Sequence, residues 1–280
     1  MSKLIEQVNS LNVPQGMLAL WGLGQSGFIL KGGDTIVYID PYLTNYVEDA
    51  GFGPKGLFTR EFESPLKPED ATNAQIVFLT HEHGDHTDPK TVGAMGKASP
   101  KAQFVGTPYS RDIAAGVGVA AERFVVPTAE KPQTIGNVKF TALPSAHYGL
   151  DYDAEKGYRW LGFVIEMNGV TLYHAGDTLI YEGYVNMLKQ YTMDIAILPV
   201  NGRDWWREQK GLLGNLDPHE AAHLINELKA DVLIPVHNDL FAGNRLRPGI
   251  MADAMDRTAP RQKYHWIQPG ELYYYVKGAQ

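Results

Sequence analysis

The segment Thr80-His81-Glu82-His83-Gly84-Asp85-His86 sets three imidazoles and two carboxylates within six consecutive positions. It comes directly after the apolar run Ile76-Val77-Phe78-Leu79. In extended backbone His81 and His83, two apart, share one side, and Gly84 allows a tight turn that brings Asp85 and His86 toward it. Converging nitrogen and oxygen donors of this kind are what a divalent ion needs. Donors of the same chemistry recur after later apolar runs. His147 comes after Ser145-Ala146, Asp177 lies in Tyr173-His174-Ala175-Gly176-Asp177-Thr178, and His237 lies in Pro235-Val236-His237-Asn238-Asp239. A single histidine is most often a core or surface residue. Repeated placement at strand ends, where open α/β sheets keep their crevices, points to one assembled site.

Two further motifs read as decoys. Gly22-Leu23-Gly24-Gln25-Ser26-Gly27 fits the dinucleotide pattern, but the next residues, Phe28-Ile29-Leu30-Lys31-Gly32-Gly33, form a strand and a turn rather than the helix whose N-terminus would hold a pyrophosphate. A glycine-rich β-turn or bulge is the structural reading. His219-Glu220-Ala221-Ala222-His223 fits the zinc-protease helix. Asp217 reads as its N-cap, Pro218 as a first-turn residue and Glu220 as the capping-box partner, which leaves His219 in the first turn of an ordinary amphipathic helix.

The elements that must position these residues emerge from hydrophobic period and turn chemistry. Residues 1–16 read as a short polar helix and a turn, then 17–20, 28–30 and 35–39 as an opening β-meander. The Gly/Pro/aromatic-rich stretch 41–68 reads as a functional loop, a candidate lid. Strands at 75–80, 103–106 and 123–126 alternate with helices near 89–97 and 109–115 in βαβ rhythm. Strands at 138–143, 161–167 and 171–174 come next, the last two joined by the hairpin signal Asn168-Gly169. A second α/β stretch comprises a helix near 182–191, a strand at 194–200, a helix at 218–229, a strand at 231–236 and a closing strand near 272–276. The expected architecture is α/β, two mixed sheets face to face with helices outside, in one domain spanning 1–280.

The chain has 280 residues, a net charge of -7, a pI near 5.7 and no cysteine. Disulfides, thiolate metal sites and a cysteine nucleophile are thereby excluded, so any metal is held by His, Asp or Glu. The acidic balance and the lack of a Lys/Arg run speak against nucleic acid as a partner. No apolar stretch approaches the roughly 20 residues of a membrane span, and the opening residues lack a signal-peptide core, so a cytoplasmic protein is expected. Self-association into a homo-oligomer stays open.

The His81-Glu82-His83-Gly84-Asp85-His86 motif, with His147, Asp177 and His237 where later motifs would fall, resembles the metallo-β-lactamase superfamily over nearly the whole chain. The resemblance implies a four-layer αββα sandwich and two divalent ions, Mn or Zn with Fe an alternative. It implies that His81, His83 and His147 hold one ion, that Asp85, His86 and His237 hold the second, and that Asp177 bridges them. Within the superfamily, Asn201-Gly202-Arg203-Asp204, Gly214-Asn215 and the run Ile234 to Phe241 resemble the L-ascorbate-6-phosphate lactonase branch.

Two ions about 3.5–4 Å apart lower the pKa of a water between them toward 7 and polarise a carbonyl oxygen. Asp85 would orient that water as the catalytic residue and relay a proton to the leaving alkoxide. The expected activity is hydrolysis of an ester or lactone, with a phosphorylated sugar acid among the substrates. The alternatives are a phosphodiesterase or nuclease of the same fold, and a non-catalytic metal-binding protein. Arg203 is the candidate grip for a small anionic substrate, since a planar guanidinium can make two hydrogen bonds to phosphate or carboxylate. His174, Asn201, Asn215 and Tyr148 are the candidates for substrate hydroxyls. Trp205, Trp206, Tyr42, Tyr46 and Phe52 are candidate pocket walls, and Glu82 or Asp239 candidate supports of the histidine tautomers.

Overall fold

Burial along the strands alternates between two destinations, and that alternation builds the layers. The computed structural model describes residues 2–147, 149–212 and 214–278. After helix α1 (Lys3–Ser10) come strands β1 (Met17–Gly24), β2 (Gly27–Gly32) and β3 (Thr35–Ile39), the short helix α2 (Tyr46–Asp49), then β4 (Ile76–Leu79), α3 (Pro89–Ala98), β5 (Gln103–Gly106), α4 (Pro108–Gly116) and β6 (Phe124–Val125). The chain continues through β7 (Pro132–Ile135), β8 (Val138–Pro144), a small hairpin of β9 (Tyr152–Asp153) and β10 (Gly157–Tyr158), β11 (Leu161–Met167), β12 (Val170–His174), α5 (Tyr184–Leu188) and β13 (Ile195–Pro199). It closes with α6 (Trp205–Glu208), α7 (Pro218–Leu228), β14 (Val232–Val236), α8 (Pro248–Thr258), β15 (Lys263–Tyr264) and β16 (Leu272–Val276).

Among the described residues the strands form two seven-stranded mixed sheets, in the orders β16-β1-β2-β3-β4-β5-β6 and β15-β14-β13-β12-β11-β8-β7. Leu18, Leu20, Val37, Ile39, Ile76 and Phe78 of the first sheet meet Phe140, Phe163, Ile165, Leu172, Ile197 and Ile234 of the second in one buried cluster. The intervening residues face outward, because successive strand side chains alternate between faces. Ala19, Trp21, Tyr38, Val77 and Leu79 pack under Ile5 and Val8 of α1 and Val92 and Met95 of α3. Tyr173, Ala196, Leu198 and Leu233 pack under α5, α7 and α8. The layer order is therefore helix, sheet, sheet, helix, as the four-layer reading requires.

Besides the short elements α2, β7, β9, β10, α6 and β15, which the hydrophobic patterns do not announce, three elements differ from expectation. The closing strand leaves the second half of the chain and pairs with β1, Met17 opposite Val276 through Trp21 opposite Leu272, antiparallel. Lys277 ties it across to Asp194 at 2.9 Å, and Tyr275 turns into the layer between the sheets. Helix α8 shares a first-turn proline with α7 but has Arg247 at its N-cap and no side-chain cap, so it lacks the capping-box signal that α7 displays. Helix α5 is five residues long and starts from Gly183 at φ 86, which shortens the longer helix expected near 182–191.

Direction places the site. In the first sheet β1, β3 and β4 run the same way, and in the second so do β8, β12, β13 and β14. Gln25, Asp40 and His81 leave the C-terminal ends of β1, β3 and β4, and His147, Asp177 and His237 those of β8, β12 and β14. Carboxyl ends of strands are where α/β crevices form. No helix among the described residues is long and apolar enough to cross a membrane.

Candidate metal centre

Past Leu79 the chain leaves β4 and folds into a compact loop, with the N–H groups of His86 and Thr87 both donating to the His83 carbonyl, at 2.9 and 2.7 Å. Thr87 Oγ1 donates to the His81 carbonyl at 2.5 Å, and Asp88 then caps α3 by accepting from the Lys90 N–H, with Pro89 in its first turn. The loop is thus clamped between a strand end and a capped helix. Gly84 serves a different need from the expected one. Its φ is not positive, and a Cβ there would lie 3.0 Å from the Tyr46 ring of α2, so the glycine permits close approach rather than an unusual turn.

The structure brings together all seven residues singled out as donors. One atom each of His81, His83, His147 and Asp177 lies within 4.8 Å of the others, and the same holds for Asp85, His86 and His237. Asp177 lies between the two groups. Its Oδ2 is 3.4 Å from His147 Nε2 and 3.3 Å from His237 Nε2, and its Oδ1 is 3.3 Å from His86 Nε2. His237 Nε2 is also 3.4 Å from Asp85 Oδ2.

These residues fit divalent ions on their own chemistry. His81 Nε2, His86 Nε2 and Asp177 Oδ1 are buried and have no hydrogen-bond partner of suitable geometry, a costly arrangement for polar atoms unless something else satisfies them. Electrostatics divides the set. Burial draws His81 well below the ordinary imidazole range, draws His83 down as well, and brings His147 to about 4. Neutral imidazoles result, the protonation state a metal binds. Burial also acts on His86 and His237, but Asp177 and Asp85 outweigh it, raising His86 well above its usual value and His237 to about 9. Asp177 and Asp85 are correspondingly held far below the usual carboxylate range, against burial, by His237, His86 and His147 for the first and by His86 and His237 for the second. That half of the cluster favours added positive charge, whether from a proton or a cation.

Two residues that sequence reasoning did not single out complete the centre. Asp40, fully buried just past β3, accepts from Thr80 N at 2.8 Å, from Thr80 Oγ1 at 2.6 Å and from His86 Nδ1 at 2.7 Å. It does so from left-handed backbone at φ 41, uncommon for a residue other than glycine. By accepting the His86 Nδ1–H hydrogen bond it turns Nε2 toward the cluster, the orienting role expected of Glu82 or Asp239. The second is Gln25, the turn residue of the glycine-rich decoy, whose Nε2 reaches Asp85 Oδ2 at 2.7 Å and His237 Nε2 at 2.9 Å. One signal was available for both: each stands directly after an apolar strand, as His81 does.

Glu82 has another partner, Arg159, at 2.5 Å, while Asp239 accepts from Gln25 N at 2.9 Å and is pushed up to about 6 by burial. Arg203 does not reach the cleft. Both of its terminal nitrogens are engaged by the Glu220 carboxylate at 2.8 and 2.7 Å, and it also donates to the Asn215 carbonyl. The anion-grip expectation therefore fails on geometry, since the capping-box acid of α7 already occupies the guanidinium fork. His174 is buried against the Ser26 carbonyl and the Gly176 N–H. Asn201 and Asn215 are buried and bonded to each other at 3.0 Å, and neither lines the cleft. Tyr148 lies outside the described residues. The capping box of α7 is present as expected.

The donors open on a cleft of about 410 Å³ lined by Val47, Phe52, Phe58 and Leu212 on its apolar side and by Arg159 and Lys210 among its cations. Phe52 belongs to the 41–68 stretch and is a wall as expected, whereas Tyr42 and Tyr46 lie beneath, in a small cluster with Phe241. Trp206 stacks under Lys210, whose ammonium is 3.8 Å from the ring centre.

A double sheet flanked by helices, with His and Asp donors gathered at the strand ends, is the frame of a metal-binding class of proteins. Residues 37–238 match the family model described as beta-lactamase superfamily domain, and the chain belongs to that superfamily. Among curated relatives it is 27% identical over 255 residues to a UPF0173 metal-dependent hydrolase of Hyperthermus butylicus, covering 90% of this chain and 96% of that protein. Two solved structures share the fold. A metallo hydrolase from the archaeon Ignicoccus hospitalis superposes with a TM-score of 0.67 at 20% identity, over 92% of this chain and 98% of its own. An isothiocyanate hydrolase from Delia radicum gut bacteria does so with 0.71 at 19%, over 91% and 98%. Each of these three proteins is named a hydrolase.

Proposed function

We propose that the chain hydrolyses a small ester or lactone at a two-ion centre, with the substrate's anionic end toward Arg159 and Lys210. One observation carries this reading: seven His and Asp donors gathered in two adjoining groups, with His83, Asp85, His147, Asp177 and His237 lining one cleft and His81 and His86 buried behind them. His81, His83 and His147 would hold one ion, Asp85, His86 and His237 the other, and Asp177 both. Ions bound there would supply Lewis acidity, lowering the pKa of a water and polarising the electrophilic carbonyl.

The side chains do the rest. Asp85, on the cleft wall, would orient the water and relay its proton to the alkoxide as the new C–O bond forms and the old C–O bond breaks. Asp40 holds His86 in the tautomer that faces inward. Phe52, Phe58 and Leu212 exclude bulk water on one flank. A phosphorylated sugar-acid lactone, the substrate that the lactonase-branch resemblance implies, keeps its place as one member of this class, with its phosphate assigned to Lys210 and Arg159, which line the cleft as Arg203 does not, Arg159 meeting Glu82 through Nε. The centre is read as cytoplasmic and specific for a small molecule. The deciding experiment is an assay of chelator-stripped protein reloaded with Mn(II) or Zn(II) against a lactone panel and bis-p-nitrophenyl phosphate. Lactone turnover abolished by EDTA is expected, and faster hydrolysis of the phosphodiester would overturn the choice of bond.

A further inference from the structure

Gln25 stands where an ion would have to compete with it. The β1–β2 turn carries it into the cluster in left-handed backbone at φ 56. Its backbone is fixed on both sides, the carbonyl accepting from the His237 N–H at 2.8 Å and the N–H donating to Asp239 Oδ1 at 2.9 Å. From there Nε2 lies 2.7 Å from Asp85 Oδ2 and 2.9 Å from His237 Nε2, on the faces these residues turn to each other. Nitrogen is the atom that belongs there: rotated, the amide would set its oxygen against the Asp85 carboxylate, acceptor against acceptor. The amide N–H that Asp85 Oδ2 accepts points its positive end into the space between Asp85 and His237, so a cation entering there meets that dipole and the bulk of the amide unless the side chain turns away. The amide oxygen is meanwhile buried without a partner, so the present rotamer is held by these two contacts.

We propose that Gln25 is a positioning residue that sets the order of ion loading, by occupying the Asp85/His237 side of the second group until a cation displaces it. The proposal rests on the reading that both donor groups hold cations. The His81, His83, His147 and Asp177 group then fills first, and the second group fills at higher free ion, after the Gln25 side chain has turned away.

The test titrates chelator-stripped wild-type protein, Gln25→Gly and Gln25→Met with Mn(II) by calorimetry, with bound equivalents counted by elemental analysis. Glycine suits the positive φ and removes the side chain, while methionine keeps the bulk without the amide. The first equivalent should bind within about twofold of wild type in both variants, and the second about tenfold more tightly, the effect of freeing one hydrogen bond to a charged group. A second equivalent that weakens makes Gln25 a ligand and overturns the proposal, as does one that is unchanged or tightens only in Gln25→Gly. Wild-type protein that binds no first equivalent overturns the metal-centre reading and this proposal together.

Discussion

Replacing Asp40 with asparagine should leave the fold standing while stripping the centre of much of its grip on metal. The carboxylate accepts three hydrogen bonds, from Thr80 N, Thr80 Oγ1 and His86 Nδ1, at 2.8, 2.6 and 2.7 Å. The asparagine oxygen can still serve Thr80, but its NH2 then faces His86 Nδ1. Two donors cannot share that contact, so the imidazole reverses its tautomer and protonates Nε2, the nitrogen that looks into the cluster. Losses of this kind around metal-bound histidines are about 10–100-fold in affinity, or about 1.4–2.7 kcal/mol. Stability should fall by about 1–3 kcal/mol from the weakened buried bonds, a drop in Tm of about 2–5 °C for a chain of this size. Chelator competition for Mn(II), with Tm of the stripped protein measured in parallel, separates the two effects. An Asp40→Asn protein with wild-type metal affinity would refute the reasoning, because it would show that nothing depends on the His86 tautomer.

Metal uptake should release protons at pH 7 and strengthen as pH rises, since His237, held at about 9, must lose its proton before its nitrogen can bind an ion; calorimetry in buffers of different ionisation enthalpy that showed no proton release would contradict this. Arg203→Ala should change KM little, because the guanidinium pairs with Glu220 outside the cleft, whereas Lys210→Ala should raise KM severalfold for anionic substrates and leave neutral ones alone. Asp217→Ala should cost about 1 kcal/mol through loss of the α7 capping box, with no change in bound metal, and His219→Ala with His223→Ala should leave metal content intact. Gly84→Ala should destabilise by about 1–3 kcal/mol through contact with the Tyr46 ring, with Tyr46→Ala restoring part of the loss in a double-mutant cycle.

Short windows of the chain carried the parts that obey local rules. The donor spacing at 81–86, the apolar run before it, the Asn168-Gly169 hairpin and the Asp217 capping box each depend on residues only a few positions apart, so period and turn chemistry suffice to read them. The two sheets came from the same patterns, and with them the prospect that donors at successive strand ends would meet. Tertiary structure decided what lies between distant segments. It gave Arg203 to Glu220 instead of a substrate, sent the last strand across the whole chain to pair with the first, and delivered Gln25 and Asp40 to the centre. Nothing in the residues flanking Gln25 marks it as more than a turn. Its role comes from partners 60 and 212 positions away, and a side chain's choice among such partners is settled by how the layers pack, not by its neighbours in sequence.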